Sequence, residues 1–67
     1  MISDTEIWRS AILLIDQYGA DAGFVAAWSA DAMLARRNLI GRAVWRRIFN
    51  AIEELRRTER KAAEPLN

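Results

Sequence analysis

Basic side chains are the first candidates for a functional role in this chain, and many of them lie in its last third. Arginines on one helix can line a phosphate backbone, because each one neutralises a phosphate and donates hydrogen bonds to it. Glu53 and Glu54 interrupt the row, and the whole chain has a net charge of only +1. Nucleic-acid binding is therefore the alternative hypothesis, with these candidate contacts: Arg42, Arg46, Arg47, Arg56 and Arg57.

Large aromatic rings are the second set of candidates. Buried together, they form a core in which each indole N–H finds an acceptor; exposed, they form a patch for a partner. Three Trp, two Phe and one Tyr are many rings for the interior of 67 residues. A common core is the first expectation, and exposure of at least one indole is the alternative. Trp8, at the edge of its helical stripe, is the one we choose as exposed. The candidate interface residues are Trp8, Trp28, Trp45 and Phe49.

The sequence lacks two of the residue types on which enzymes most often rely. The absence of Cys and His removes disulfides, thiolate chemistry, the usual zinc ligands and an imidazole base. Ser10, Ser29 and Thr58 therefore have no histidine to activate them, and no glycine-rich phosphate loop is present. We predict that the protein is not an enzyme and uses no metal, cofactor or small-molecule substrate.

Charge is divided unevenly along the chain. Residues 1–35 carry five carboxylates against one arginine, whereas residues 36–67 carry nine cations against four carboxylates. Such asymmetry can indicate a half that faces nucleic acid. It can also indicate two halves that complement each other within the fold or between two copies.

The first of the predicted helices has clear signals at both of its ends. Ser3 and Glu6 have the spacing of a capping box, in which the serine hydroxyl accepts from the Glu6 amide. An apolar stripe from Ile7 to Tyr18 follows at helical spacing, and Gly19 suits the left-handed residue that ends a helix. The sequence predicts a helix over residues 4–18.

The second helix, predicted over 22–37 with Asp21 as its N-cap, is apolar nearly all round. Such a helix usually sits centrally, so we expect it to be the most buried of the three. Asn38 can either close this helix in the left-handed conformation or cap the next. A third helix is predicted over 39–62, with Val44, Ile48, Ile52 and Leu55 on its apolar stripe.

Together these elements predict an all-α fold, a three-helix bundle within a single domain over 1–63, followed by a short tail over 64–67. Short connections favour antiparallel neighbours, and a helix-turn-helix crossing is the alternative. The apolar run 11–15, which no other apolar run exceeds in length, is far short of the roughly 20 residues of a membrane span. The third helix also mixes acids with bases on its polar face. We therefore expect a cytoplasmic protein with no membrane partner.

Five short segments of the chain form a recognisable succession: Glu6-Ile7-Trp8, Leu13-Leu14-Ile15, Tyr18-Gly19-Ala20-Asp21-Ala22, Val44-Trp45-Arg46-Arg47-Ile48 and Ala51-Ile52-Glu53-Glu54-Leu55. This succession resembles a family of short alphaproteobacterial proteins of unknown function. The resemblance implies a bacterial, cytoplasmic protein with a compact helical fold, and it transfers no activity, ligand or site. Members of that family usually have an acidic residue and a glycine before the third helix, where this chain has Asn38, Leu39, Ile40 and Gly41.

The functional prediction is a small helical module for protein–protein interaction and assembly, one that associates with itself as a homodimer or larger homo-oligomer. It rests on the surplus of aromatic side chains and on the opposite charge of the two halves of the chain. Below about 70 to 80 residues a single core contributes little net stability, so support from a second copy is physically reasonable.

Overall fold

The structure is a computed structural model that describes the backbone of residues 2–63 and the side chains of residues 2–60. This part of the chain is helical and contains no strand, which confirms the all-α prediction. The predicted tail over 64–67 lies outside the described residues.

Helices follow one another with little chain between them. A single turn of 3-10 helix separates the first two α-helices, so these two are nearly continuous in sequence. The second helix ends two residues earlier than predicted, and the bounds of the other two are within one residue of the prediction. The elements are α1 (Asp4–Tyr18), the 3-10 turn (Gly19–Asp21), α2 (Ala22–Ala35) and α3 (Leu39–Ala63).

The start of α1 is capped as the sequence predicts. The Ser3 hydroxyl accepts a hydrogen bond of 3.3 Å from the Glu6 amide. At the other end Gly19 has φ +54° and ψ −123°, a combination open to glycine and strained for other L residues. Its amide donates to the Ile15 carbonyl, so the chain leaves α1 through a conformation that glycine makes possible.

The connection from α1 to α2 differs from the prediction. Asp21, the last residue of the 3-10 turn, occupies the predicted N-cap position of α2, but its side chain makes no capping hydrogen bond. The reason is that the 3-10 turn leads directly into α2, and the Ala22 amide already donates to the Gly19 carbonyl. Backbone carbonyls do here what a side-chain cap does elsewhere.

A Schellman motif ends α2 at Ala35 rather than at the predicted residue 37. The Asn38 amide donates to the Met33 carbonyl at 2.8 Å, and the Arg37 amide donates to Leu34 at 2.9 Å. Arg37 takes the left-handed conformation, with φ +59°. Of the two roles proposed for Asn38, the second is confirmed, because its Oδ1 accepts from the Gly41 amide at 2.8 Å at the start of α3.

The hydrophobic core lies where α3 packs against both α1 and α2. The predicted stripe of α3 is confirmed, since Ile48 and Ile52 are buried and Val44 and Leu55 pack against the core. From α1 come Ile7 and Ala11, which are buried, and Leu14 and Ile15, which are partly buried.

The residues of α2 that are fully covered are all very small. The buried positions of α2 are Ala22, Gly23, Ala26 and Ala30. A Cβ atom added at Gly23 would lie 3.2 Å from a Glu53 carboxylate oxygen and 3.7 Å from the Phe49 ring. This small-residue face lets the two helix backbones approach closely.

The expectation that α2 would be the buried centre is wrong. One side of α2 is covered, and the opposite side carries exposed Phe24 and Trp28. Instead α3 is central, since it is the helix that contacts both others extensively. The pattern of α2 is apolar on all sides, so it could not indicate which side the fold would cover.

Ile52 is fully buried in the core. Ile52→Ala is expected to lower the free energy of unfolding by about 2–5 kcal/mol, because it leaves a cavity where α3 meets its neighbours. Ile12→Ala is the matched control, because Ile12 is 56% exposed, and it should cost no more than about 0.5 kcal/mol. Urea unfolding followed by circular dichroism at one protein concentration measures both. Equal losses would contradict the assigned core.

Gly19→Ala is expected to destabilise the fold by about 1–3 kcal/mol through backbone strain. A Cβ at Gly19 would meet nothing within 4 Å, so a clash with neighbouring residues contributes nothing to this loss. A chemically synthesised chain with D-alanine at the same position is the control. A D residue adopts positive φ readily, so its thermal unfolding midpoint should match or exceed that of the glycine protein. If L- and D-alanine are equally tolerated, handedness is not what this position requires.

Candidate interaction surface

The outer side of α2 is the most prominent apolar surface among the described residues. It lies opposite the small-residue face that packs on α3, and all six of its residues are exposed. Asp31 is its only charged residue. We call it the α2 outer face, and it consists of Phe24, Ala27, Trp28, Asp31, Ala32 and Ala35.

Two aromatic rings dominate this face. Phe24 is 70% exposed and Trp28 is 67% exposed, and their ring centroids lie 6.5 Å apart in a tilted arrangement. They are one helical turn apart, so they form a contiguous apolar area rather than two scattered residues. Contiguous exposed apolar surface on a small domain usually marks an interaction site.

The α2 outer face also has a gradient of side-chain size. Its large residues, Phe24 and Trp28, are in the N-terminal half of α2, whereas Ala32 and Ala35 are in the C-terminal half. Phe24, Trp28, Asp31 and Ala35 are spaced by four, three and four residues, which is the spacing of a helix–helix seam.

Asp31 borders a cleft of about 170 Å³ between α2 and α3, which Arg42 and Arg46 also line. The carboxylate is exposed, so it needs no internal partner to offset a cost of burial. The ion pairs present among residues 2–60 join other residues. Asp31 thus remains a polar group at the centre of an apolar face, with cations nearby.

The other predicted interface residues are placed differently. Trp8 is 39% exposed and lines a shallow cavity with Ile7 and Ala51, between α1 and α3. Trp45 and Phe49 are partly buried and pack against the core. Trp28, rather than Trp8, is the most exposed indole, so the choice of Trp8 as the exposed tryptophan is only partly right.

Two of the predicted nucleic-acid contacts make internal hydrogen bonds. Arg47 pairs with Asp4 and donates at 3.1 Å to the Ile2 carbonyl, which ties the start of α1 to α3. Arg56 donates to the carbonyls of Gly19 at 2.9 Å and Ala20 at 2.6 Å. These guanidinium groups hold the fold together.

The remaining three arginines are arranged less tightly. Arg57 pairs with Glu54 at 3.1 Å along α3, so the favourable pair is not the Glu53–Arg57 pair that i, i+4 spacing suggests. Arg42 and Arg46 line the cleft beside Asp31. The five arginines therefore do not form a single row on α3.

A second apolar surface lies at the end of the molecule where α2 turns into α3. Leu39 is 66% exposed and Ile40 is 81% exposed. With Ile2 and Val44 they border an open groove of about 360 Å³. Neither Leu39 nor Ile40 was among the predicted site residues.

Other kinds of site find little support in the part of the chain that the structure describes. Over residues 2–60 there is no group of three or more acidic side chains that could hold a metal ion. None of the described helices is long and apolar enough to cross a membrane.

Comparison with known proteins finds no matching family model, no similar curated protein and no similar solved structure. The resemblance to the short alphaproteobacterial proteins therefore stays a prediction.

Phe24 is the aromatic residue of the α2 outer face that sequence reasoning missed. The signal was present, because Ala22, Ala26 and Ala30 form a stripe of small residues opposite Phe24 and Trp28. A stripe of small residues permits close helix packing, and burying that side turns the two rings outward. The prediction instead treated α2 as the most buried helix and assigned it no exposed side.

Arg56→Met is expected to destabilise the protein by about 1.5–3 kcal/mol, because two carbonyls at the α1–α2 turn lose a charged hydrogen-bond donor. Arg57→Met removes an equal charge from a surface pair within one helix and should cost less than about 0.5 kcal/mol. Thermal unfolding of the two variants compares them directly. An equal loss of stability in the two variants would contradict the structural role assigned to Arg56.

Proposed function

We propose that this protein is a non-enzymatic helical assembly module of the bacterial cytoplasm, a three-helix bundle that associates with a second copy of itself through the α2 outer face. The exposure of Phe24 and Trp28 on a face with one charged residue carries the proposal. Burying a large apolar side chain stabilises an interface by about 1.5–3 kcal/mol. A symmetric dimer would bury four such rings.

Self-complementarity favours a second copy as the occupant. In an antiparallel pair of α2 helices, the large N-terminal half of each face lies against the small C-terminal half of the other. Phe24 then faces Ala35 of the partner subunit, so a ring fills the space beside a methyl group. Such a contact is isologous, as expected of a homodimer.

Asp31 fits the same arrangement. With the two-fold axis between positions 28 and 31, Trp28 faces Asp31 of the partner subunit, and the indole N–H can donate to that carboxylate. A buried indole needs an acceptor and a buried carboxylate needs donors. Arg42 and Arg46 of its own copy line the same cleft, so the cations that could offset the carboxylate charge are on the neighbouring helix.

Nucleic-acid binding through the basic third helix remains the alternative. It would have to rely on Arg42, Arg46 and Arg57, because Arg47 and Arg56 are engaged within the fold. Its distinguishing property would be binding that weakens steeply with salt.

Analytical ultracentrifugation of the wild type and of F24S/W28S tests the proposal. The wild type is expected to form a dimer at micromolar concentration. The variant should sediment as a monomer with unchanged helical circular dichroism, because both side chains are outside the core.

The matched control is I12S/L13S, which removes two apolar side chains of α1 that are 56% and 60% exposed. It should leave the dimer intact. A wild type that is monomeric at hundreds of micromolar, or a control that dissociates as readily as F24S/W28S, would exclude the α2 outer face as the interface.

A further inference from the structure

The end of the molecule at the α2–α3 turn combines protruding apolar side chains with cations. Leu39 and Ile40 begin α3 and are 66% and 81% exposed. Arg36 and Arg37 precede them in the turn and are exposed. Arg42 follows within the first turn of α3.

Acidic residues are absent from this stretch. Between Asp31 and Glu53 the chain has five arginines and no carboxylate. The start of α1 reaches the same end, since Ile2 borders the groove with Leu39 and Ile40, and its Asp4 is neutralised by Arg47. The end of the molecule is therefore apolar at its tip and cationic around it.

The backbone here is fixed in place. The Schellman motif at Arg37 and the Asn38 cap hold the turn between α2 and α3. A Cβ at Gly41 would lie 2.8 Å from the Met33 sulfur, so the first turn of α3 packs closely on α2. Leu39 and Ile40 are thus presented together on a rigid support rather than on a loose loop.

We propose that this end, formed by Arg36, Arg37, Leu39, Ile40 and Arg42, docks peripherally onto an anionic lipid surface. The two aliphatic side chains enter the boundary between headgroups and acyl chains while the arginines bind the lipid phosphates. No described helix crosses a membrane, so the contact is superficial.

This inference revises the expectation of no membrane partner. That expectation treated the third helix as a single face of mixed charge. By position, however, the first glutamate of α3 is Glu53, about 20 Å along the helix from Leu39. The end that would meet the lipid is free of that mixture.

Charge complementarity favours a lipid surface over other polyanions because the cations surround side chains that have no use on a phosphate backbone. Nucleic-acid phosphates would attract the arginines but leave Leu39 and Ile40 in water. A bilayer accommodates both.

Co-sedimentation with vesicles tests the proposal, with phosphatidylcholine alone compared with phosphatidylcholine containing phosphatidylglycerol. The wild-type protein is expected to bind the anionic vesicles and to bind the neutral ones far more weakly. R36Q/R37Q should weaken binding by about 30-fold, since each cation near an acidic surface contributes about fivefold. L39S/I40S should weaken it by at least about tenfold.

I12S/L13S serves again as the matched control, because it removes two similarly exposed side chains from α1 and should bind as the wild type does. Absence of binding to anionic vesicles at low salt would overturn the proposal. Binding that survives L39S/I40S would also overturn it, because the contact would then be that of a general cationic patch.

F24S/W28S separates this inference from the self-association proposed above. A monomeric variant should still bind anionic vesicles, because the lipid-binding end lies outside the α2 outer face. An antiparallel dimer carries its two lipid-binding ends at opposite poles, so the wild type should also cluster vesicles and the variant should not. Loss of vesicle binding in F24S/W28S would contradict the assignment of the site to the turn.

Discussion

The close packing of α2 on α3 determines the rest of this structure. Gly23 and its alanine neighbours leave so little space that a Cβ at Gly23 would meet the Glu53 carboxylate at 3.2 Å. The fully covered residues of α2 are all small, and Phe24 and Trp28 lie on the opposite side of the helix. Stable contact between two helices thus leaves an aromatic face in water, and a second copy is the occupant that would match it best.

Two arginines of α3 connect this helix to the rest of the fold. Arg47 binds the start of α1, and Arg56 binds the carbonyls of the turn that leads into α2. Both come from α3, which explains how one central helix can hold two others with a modest apolar core. The Arg47–Asp4 pair joins the oppositely charged halves of the chain within one molecule. Three of the other cations, Arg36, Arg37 and Arg42, lie at or beside the α2–α3 turn.

Features that depend on residues close together in sequence could be predicted. Features that depend on which side of a helix is covered by another helix could not. The Ser3 cap, the Gly19 turn and the Ile48–Ile52 stripe follow from neighbouring residues and were predicted correctly. The left-handed residue after α2 is Arg37, although Asn38 is the usual type, because Asn38 caps α3 instead. The orientation of α2 depends on which side α3 covers, and a helix that is apolar all round carries no pattern to decide this.

The most direct test of this account is the environment of the Trp28 indole as a function of protein concentration. In W8F/W45F, Trp28 is the only tryptophan, and its fluorescence reports on the α2 outer face alone. Acrylamide should quench it readily in dilute protein, since the ring is 67% exposed in the single copy, and the quenching should fall as the protein associates at higher concentration. An indole protected at every concentration would contradict the orientation of α2, and one exposed at every concentration would contradict its role in assembly.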